Sequence, residues 1–425
     1  MKIVLIDPPT PCNTNTPNIG LAYIASSLKE SGHQVVVRDM ARVASNRTIT
    51  DVTEDADLTG ISVKTHNYHE AQRITKEIHG KRVWGGPHVT LVAGKELIAE
   101  NPEVDHFIVG EGEFFVDMLT EGKLCVMPRI SDLDRLPFPC YSLFDSYEQL
   151  LNGPYPLICS RGCPYNCSFC SVPLISGKKV RYRSVKNCMK EIEQAKKLGF
   201  NRIQVLDDNF TFNMDFAKEF SAEMCLRKCL GLCWYLPNGI RADKFDEELA
   251  RLMHDSNCYL ISFGVESACL DVYKKIGKGE TLEDIDRAVE LAKKHKFFVN
   301  CYFIIGLPGS TFEQDLESLV WAFKHNVKAD FNMLVPYPGT RIWSWAQNKL
   351  KGTVGTHFGK LVYPTFETEE YSAEDRMDAF LIFNFLSGSG FTKEWYNGDA
   401  GKMETDLTMR IQRHMGPLRA AKVIR

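Results

Sequence analysis

Short apolar runs alternate with helix-length amphipathic stretches twice along this chain of 425 residues. That rhythm restricts the fold more than any other feature. In the first third, runs at 2–6, 34–37, 58–63, 82–84 and 106–109 predict strands, and 19–31, 68–79, 92–99 and 113–120 carry helical spacing. Strand–helix alternation at this spacing predicts an open parallel sheet covered on both faces, an α/β Rossmann-like arrangement. The pattern then resumes. Strands are predicted at 157–160, 202–206, 233–236, 259–263, 299–304 and 330–334, with helices at 184–197, 215–226, 246–255, 282–294 and 312–326. Six βα units predict a partial (βα)6 barrel, whose chemistry gathers at the carboxyl ends of its strands.

The two patterned stretches imply domains at 1–125 and 151–345, joined by a linker at 126–150 and followed by a small, mainly helical region at 346–425 that would cap the active site. Within the linker, Asp132-Leu-Asp-Arg-Leu-Pro-Phe-Pro-Cys140 has two prolines and no sustained period, which predicts an extended connection. Phe380-Leu-Ile-Phe-Asn-Phe-Leu386 predicts a packed helix, and the basic stretch 407–425 a solvated helical face. Net charge is −3, so composition makes no global case for nucleic acid or an anionic membrane as partner. There is no apolar run of about 18 residues and no signal-peptide pattern, which predicts a soluble cytoplasmic protein without a membrane span. Fourteen cysteines in such a chain point to metal or catalytic roles for some of them rather than to a disulfide framework.

Three of these cysteines stand apart: Cys163, Cys167 and Cys170 in Arg161-Gly-Cys-Pro-Tyr-Asn-Cys-Ser-Phe-Cys170. The C-x3-C-x2-C spacing offers three thiolates on one short loop, suited to three irons of a four-iron cluster and leaving the fourth iron open. Clusters that only transfer electrons take four cysteines. The alternative is a zinc knuckle or inert thiols. A structural zinc site takes four ligands, usually as two separated pairs. The spare candidate, Cys159, ends an apolar run and reads as strand. Cys225, Cys229 and Cys233 repeat every four residues, but Gly231 interrupts them, and core or surface thiols are the reading there; Cys301 lies inside the fifth strand of the second pattern.

The predicted strand ends of the first pattern carry Asp7-Pro-Pro-Thr-Pro11, Lys64-Thr-His-Asn67, Gly85-Gly-Pro-His88 and Gly110-Glu-Gly-Glu113. Ligands of open α/β sheets bind beyond such ends. Gly110-x-Gly112 lacks the third glycine of a dinucleotide fingerprint. The second pattern carries Leu206-Asp-Asp-Asn-Phe-Thr211, Asn238-Gly-Ile-Arg241, Phe263-Gly-Val-Glu-Ser267, Ile304-Ile-Gly-Leu-Pro-Gly309 and Val335-Pro-Tyr-Pro-Gly-Thr340, one after each remaining strand.

On these residues, 151–345 resembles a radical SAM core, and Asp7-Pro-Pro, Asn18-Ile-Gly-Leu-Ala22, Gly85-Gly-Pro-His88 and Val109-Gly-Glu-Gly-Glu113 make the N-terminal part resemble the cobalamin (B12)-binding domain found ahead of such cores. The resemblance implies a [4Fe-4S] cluster on Cys163, Cys167 and Cys170, and S-adenosyl-L-methionine (SAM) chelating the open iron. It places Phe169 against the adenine, Asp208 among polar groups facing SAM, and Glu266 on the SAM ammonium or ribose. It pairs Arg241 with the SAM carboxylate and sets Gly306 to Gly309 beside the adenine. For Glu266 and Arg241 a structural ion pair is the alternative, and for Asp208 a fold-holding hydrogen bond. Cobalamin would meet Pro9, Gly86, His88, Gly110 and Gly112. The Asp-x-His-x-x-Gly motif that supplies a lower cobalt ligand elsewhere is absent, which leaves the lower ligand unassigned; His66, His69 and His88 lie near strand ends, with an ordinary surface or hydrogen-bonded histidine as the alternative for each.

The function implied is reductive cleavage of SAM to a 5'-deoxyadenosyl radical, followed by cobalamin-dependent methylation of an unactivated carbon in a small-molecule or natural-product intermediate. Two alternatives remain at this level. One is a cobalamin-independent dehydratase, cyclase, epimerase or rearrangement enzyme whose N-terminal domain is a scaffold; the other is a non-catalytic metal- or corrinoid-binding protein. Expected partners are a small-molecule substrate, lined by side chains such as Tyr302, Asn332 and Tyr337, and a reductant such as flavodoxin or ferredoxin. A nucleic-acid partner is not expected. The basic run 178–183 reads as a solvated loop shielding the cluster.

Overall fold

The structure, a computed structural model, describes residues 1–10, 16–40, 48–119, 122–347, 365–389 and 400–423. The chain divides into two compact units. The first holds Met1–Pro164 and Ser171–Gln204; the second holds Tyr165–Cys170 and most of the chain from Val205 onward.

In the first unit, β1 (Lys2–Asp7), β2 (Gln34–Asp39), β3 (Leu58–Ser62), β4 (Lys81–Gly85), β5 (His106–Val109) and β6 (Leu124–Val126) form a parallel sheet in the order β2-β1-β3-β4-β5-β6. Every residue of β3 is buried, the continuous pattern of a strand covered on both faces. Trp84 is fully buried between Tyr68 and Phe107, each edge-on at 5.9 Å, and its indole N–H donates to Thr75 Oγ1 at 2.8 Å. The large apolar ring is thus buried without an orphaned donor. Because β1 lies between β2 and β3, the crossovers leave β1 and β3 in opposite directions, and a crevice opens at their carboxyl ends.

Several elements of this unit depart from their sequence pattern. The helix expected at 92–99 is two short ones, Pro87–Val92 and Lys95–Glu100, parted at Ala93 and Gly94, whose backbone is extended. Among the described residues of 113–120 a 3-10 turn, Phe115–Met118, stands in place of a helix, and Glu113 at its start is drawn into an ion pair with Arg161. Strand β6 was not anticipated; three residues are too few to show a period. The linker is not merely extended. Leu133, Leu136, Tyr141 and Phe144 are buried, Cys140 N–H donates to Ala22 O at 3.3 Å, and Asp145 N–H donates to Val37 O at 3.0 Å. Its prolines forbid a long helix, but its apolar side chains still find the helix Ile19–Glu30 and β2. The strand expected at 157–160 splits into β7 (Tyr155–Leu157), which neighbours β10 (Arg202–Val205), and β8 (Ser160–Arg161), which pairs antiparallel with β9 (Arg181–Tyr182).

The second unit is built on β11 (Cys233–Ile240), β12 (Cys258–Glu266), β13 (Phe298–Ile305) and β14 (Lys328–Met333), parallel and in the order β14-β13-β12-β11. Helices Met214–Leu226, Glu247–Asp255, Leu282–Lys294 and Phe312–His325 start on side-chain caps from Asn213, Asp246, Thr281 and Thr311, the last two in full capping boxes. A further helix, Leu270–Ile276, lay outside the sequence pattern.

Beyond the core, the expected apolar helix is Ala373–Leu386, buried through Phe380, Leu381, Ile382 and Phe383. It meets the open edge of β14. Asn384 Oδ1 accepts from Phe331 N–H at 3.0 Å, and its Nδ2 donates to Phe331 O at 2.9 Å. A side-chain amide thereby satisfies backbone groups that an edge strand leaves unpaired. Helices Ala400–Arg413 and Met415–Ala420 follow; Leu407 and Leu418 are buried, so the basic tail has a packed face as well as a solvated one. Parts of the expected capping region, 348–364 and 390–399, lie outside the described residues. Among the described residues no helix is long and apolar enough to cross a membrane.

Candidate cofactor sites

The cysteine loop is anchored at each end within its own unit. At its entry, in the first unit, Gly162 has φ +105°, and a Cβ there would stand 2.7 Å from Lys179 O and 2.9 Å from Gly177 O. Only glycine fits. Cys163 N–H then donates to Gly177 O at 3.0 Å. Arg161, just before it, lies with Nη2 2.6 Å from Glu113 Oε1, and its guanidinium sits 5.2 Å from the Tyr23 ring centre. Arg181 on β9 reaches Glu111 with both terminal nitrogens, at 2.6 and 2.7 Å. Burial alone would raise the Glu111 carboxyl, but Arg181, Arg161 and the Ile130 N–H together hold it below its ordinary range. The acids of Gly110-Glu-Gly-Glu113, expected only as part of a ligand-facing turn, therefore brace the approach to the first cysteine. Sequence reasoning missed this, since the partners are 48 and 70 residues away. Beside this turn, a cavity of about 460 Å³ is lined by Phe114, Met118, Met127, Ile130 and Leu136.

The second half of the loop belongs to the second unit. Ser168 N–H donates to Ile276 O at 2.8 Å, and its carbonyl accepts from Ile342 N–H at 3.0 Å. Asn166 O accepts from Arg341 Nη2 at 2.6 Å, and Cys170 N–H donates to Cys167 O at 3.2 Å. Cys163, Cys167, Cys170 and Phe169 are all half-buried. Three thiols on a backbone fixed in this way are a donor set that fits an iron–sulfur cluster with one iron left to another ligand.

Around that segment the second unit carries a buried charge network. Arg241, after β11, stacks on Tyr165 with its guanidinium carbon 3.7 Å from the ring centre. Its Nε donates to Asp243 at 2.8 Å, Nη1 to Lys278 O at 2.7 Å and Nη2 to Gly279 O at 3.0 Å. The fork expected to clamp a carboxylate of SAM is committed here to holding the 278–280 turn and the tyrosine of the cysteine loop.

Glu266 closes β12 at φ +65°, after a bulge at Gly264. A left-handed glutamate costs on the order of 1 kcal/mol or more, so the surroundings must over-determine it. Lys278 does so, with Nζ 3.1 Å from both Glu266 Oε1 and Glu280 Oε1 and donating to Gly264 O. Burial opposes charge on Lys278, yet the two glutamates hold its pKa above the ordinary lysine value. Asp208 lies half-buried on the loop after β10. Of the expected substrate side chains, Tyr302 already donates to Pro237 O at 2.5 Å, while Asn332 on β14 is exposed. Cys225 donates to Leu252 O at 3.5 Å and Cys301 is fully buried, roles in packing rather than in a second cluster.

In the first unit the crevice between β1 and β3 is lined by polar groups. Asn18 caps its helix through Oδ1, while Nδ2 donates to Asp7 Oδ1 at 2.9 Å and to Ser62 Oγ at 3.0 Å. Lys64 Nζ lies 3.1 Å from Asp7 Oδ1. His66, on the turn after β3, is half-buried, and its ring makes no hydrogen bond among the described residues. Burial, then Lys64, pulls its pKa down to about 4, so the imidazole is neutral at pH 7. His88 is only 3% exposed, with Nδ1 3.3 Å from Thr65 Oγ1 and its ring 4.8 Å from that of Tyr68. Burial, then His69, lowers it likewise to about 4. His88 thus faces the interior of this unit, whereas Pro9, Gly110 and Gly112 are half-buried at strand ends. A neutral ring nitrogen and convergent amide and carboxylate groups fit an amide-rich corrinoid.

A parallel sheet with polar groups at its switch point, followed by a three-thiol loop and a βα core with one motif per strand end, defines a B12-type domain joined to a radical SAM core. Comparisons agree. Residues 157–322 match the Radical SAM superfamily and residues 12–118 match the B12 binding domain. An uncharacterized methyltransferase of Pyrococcus horikoshii is 32% identical over 417 residues, covering 88% of this chain and 89% of that protein. The cytidylyl-2-hydroxyethylphosphonate methyltransferase of Streptomyces wedmorensis is 26% identical over 372 residues, covering 68% and 69%. Among solved structures, the radical SAM methyltransferase TsrM of Kitasatospora setae, with cobalamin and a [4Fe-4S] cluster bound, superposes with a TM-score of 0.65 at 19% identity, covering 80% of this chain and 77% of that one. The chain belongs to the radical SAM superfamily, in the methyltransferase-like group that carries a B12-binding domain. Its cofactors are accordingly a [4Fe-4S] cluster, SAM and cobalamin.

Proposed function

We propose that this protein is a cobalamin-dependent radical SAM methyltransferase acting on an unactivated carbon of a small-molecule or natural-product intermediate. The observation that carries the reading is a relative named as a methyltransferase that aligns over nearly the whole of both chains, across both cofactor domains. When bound, the cluster supplies the electron that cleaves SAM, and cobalamin supplies a transferable methyl group.

The residues of the chain position and shield. Cys163, Cys167 and Cys170 hold the cluster, and Phe169 offers a ring to the adenine. Glu266, fixed by Lys278, presents its carboxylate to the ammonium or ribose of SAM. Gly306 to Gly309 bring backbone groups beside the adenine, and Asp208 adds a carboxylate. Arg241 acts one step back, holding Tyr165 and the 278–280 turn. Around cobalamin, Asp7, Asn18 and Lys64 supply polar contacts and His66 a neutral imidazole. A reductant such as flavodoxin or ferredoxin delivers the electron.

Anaerobic reconstitution tests this. Iron and sulfide should approach about four each, SAM with dithionite should give 5'-deoxyadenosine, and corrinoid absorbance should survive desalting after incubation with hydroxocobalamin. Replacing Cys163, Cys167 and Cys170 together by Ala should abolish 5'-deoxyadenosine. Its persistence would refute the cluster assignment, and loss of all corrinoid on desalting would refute methyl transfer.

A further inference from the structure

Helix Ala373–Leu386 buries two charged side chains in the second unit, Asp378, which meets Arg410 and His414, and Arg376. Arg376 is 1% exposed. Its Nε donates to Tyr371 O at 3.2 Å, and its guanidinium carbon lies 4.2 Å from the Phe366 ring centre and 5.0 Å from that of Tyr371. Two aromatic faces and a carbonyl thus hold the group rigidly. The terminal nitrogens point at the turn that ends β13. A Cβ at Gly306 would stand 2.7 Å from Arg376 Nη1, and Gly306 has φ +82°. The guanidinium therefore occupies the space that a side chain at 306 would take. Neither terminal nitrogen makes a hydrogen bond among the described residues.

The same turn is held from its other side. Gly306 N–H donates to Asp315 Oδ2 at 2.9 Å, from a carboxylate that is 3% exposed. Asp315 and Arg376 attract one another through this backbone. A buried aspartate and a buried arginine, neither in a direct salt bridge, enclose one glycine between them. Each would be costly to bury without the other's charge nearby. What they fix is the path of Gly306-Leu-Pro-Gly309.

We propose that Arg376 is a positioning residue for SAM, setting from behind the backbone turn against which the adenine lies. The inference rests on the reading of Gly306 to Gly309 as an adenine-facing turn. It assigns a role to the C-terminal region, beyond the residues 157–322 that carry the family match. The chemistry is indirect: a planar cation held between aromatic rings leaves the turn one conformation, so backbone groups meet the nucleoside without an ordering cost.

The experiment uses the full chain, reconstituted with its cluster, and SAM as the probe. Arg376→Met should weaken SAM binding about tenfold in anaerobic equilibrium dialysis, with iron and sulfide content unchanged, and Arg376→Lys should recover part of the loss. Unchanged SAM affinity in a folded Arg376→Met protein overturns the proposal. Hydrogen–deuterium exchange on the unaltered protein decides independently, should the variants fail to fold. SAM should slow exchange in peptides covering both 303–311 and 371–380. Slowing at 303–311 alone overturns the role of Arg376 and leaves the adenine-facing turn standing. Slowing at neither, in a protein that does bind SAM, overturns both.

Discussion

The two units solve the same problem with different chemistry. Each presents the carboxyl ends of a parallel sheet, and each must hold polar groups there without letting the backbone drift. At the β1–β3 crevice the first unit does so mostly with neutral groups, namely Asn18, Ser62, Thr65 and the uncharged His66 and His88, beside the pair Lys64–Asp7, and it keeps buried ion pairs for the turn after β5, where Glu111 and Glu113 meet Arg181 and Arg161. The second does so with buried charge: Lys278 between Glu266 and Glu280, Arg241 on Tyr165, and Arg376 opposite Asp315. Neutral groups suit a large ligand met through amides, while fixed charges suit a small zwitterion whose ends must be told apart. The difference also sets how each unit responds to mutation and to pH.

The largest expected effect lies in the charged unit. Lys278→Met removes the ion-pair partner of Glu266 and leaves the buried Glu280 with no cation nearer than Arg241 at 3.9 Å among the described residues, and should cost roughly 3 to 5 kcal/mol, measured as a shift of the urea unfolding midpoint. A cost near zero would mean that the network is not electrostatically closed, and the contrast between the units would fail. Asn384→Leu comes next. It strips Phe331 of both edge hydrogen bonds and should cost roughly 2 to 3 kcal/mol. Concentration-dependent association in light scattering should accompany it, because the edge of β14 is then uncovered.

The smallest effect is the sharpest test, since the units should respond to pH with opposite signs. Asp315 is pushed up to about 7 by burial, while an unfolded aspartate titrates near ~4. Between those values the native state binds the extra proton, so this group's contribution to stability falls as pH rises. His66 and His88 are held down to about 4, while an unfolded histidine titrates near ~6.5. There the unfolded state binds the extra protons, so stability falls as pH drops from about 6.5 to about 4. Each slope is at most about 1.4 kcal/mol per pH unit per group. In urea titrations from pH 4 to 8, Asp315→Asn should remove the first slope, and His66→Gln with His88→Gln the second. Equal slopes in all variants would refute the assignment.

Much of this was legible in the sequence because it is local. Strand β1 declares itself by its apolar run Ile3-Val-Leu-Ile6, the helix after Thr281 by its capping box, and the cluster by thiols spaced within one loop. The illegible parts depend on distant partners. Glu113 meets Arg161, the Arg241 fork meets Lys278 O and Gly279 O, and His88 faces Thr65 and Tyr68, partners that no local pattern announces. The linker looked extended because its apolar residues follow no helical or strand period, and only packing on β2 and its neighbouring helix gave them a face.

By itself, then, the sequence determined the two parallel α/β patterns, the three-thiol loop and its family, since periodicity and short-range spacing need no knowledge of what folds against them. Tertiary structure alone decided which partners each charge meets. An arginine is the same residue wherever it sits, and only the carbonyls, rings and carboxylates brought to it from far along the chain determine whether its donors are already spent.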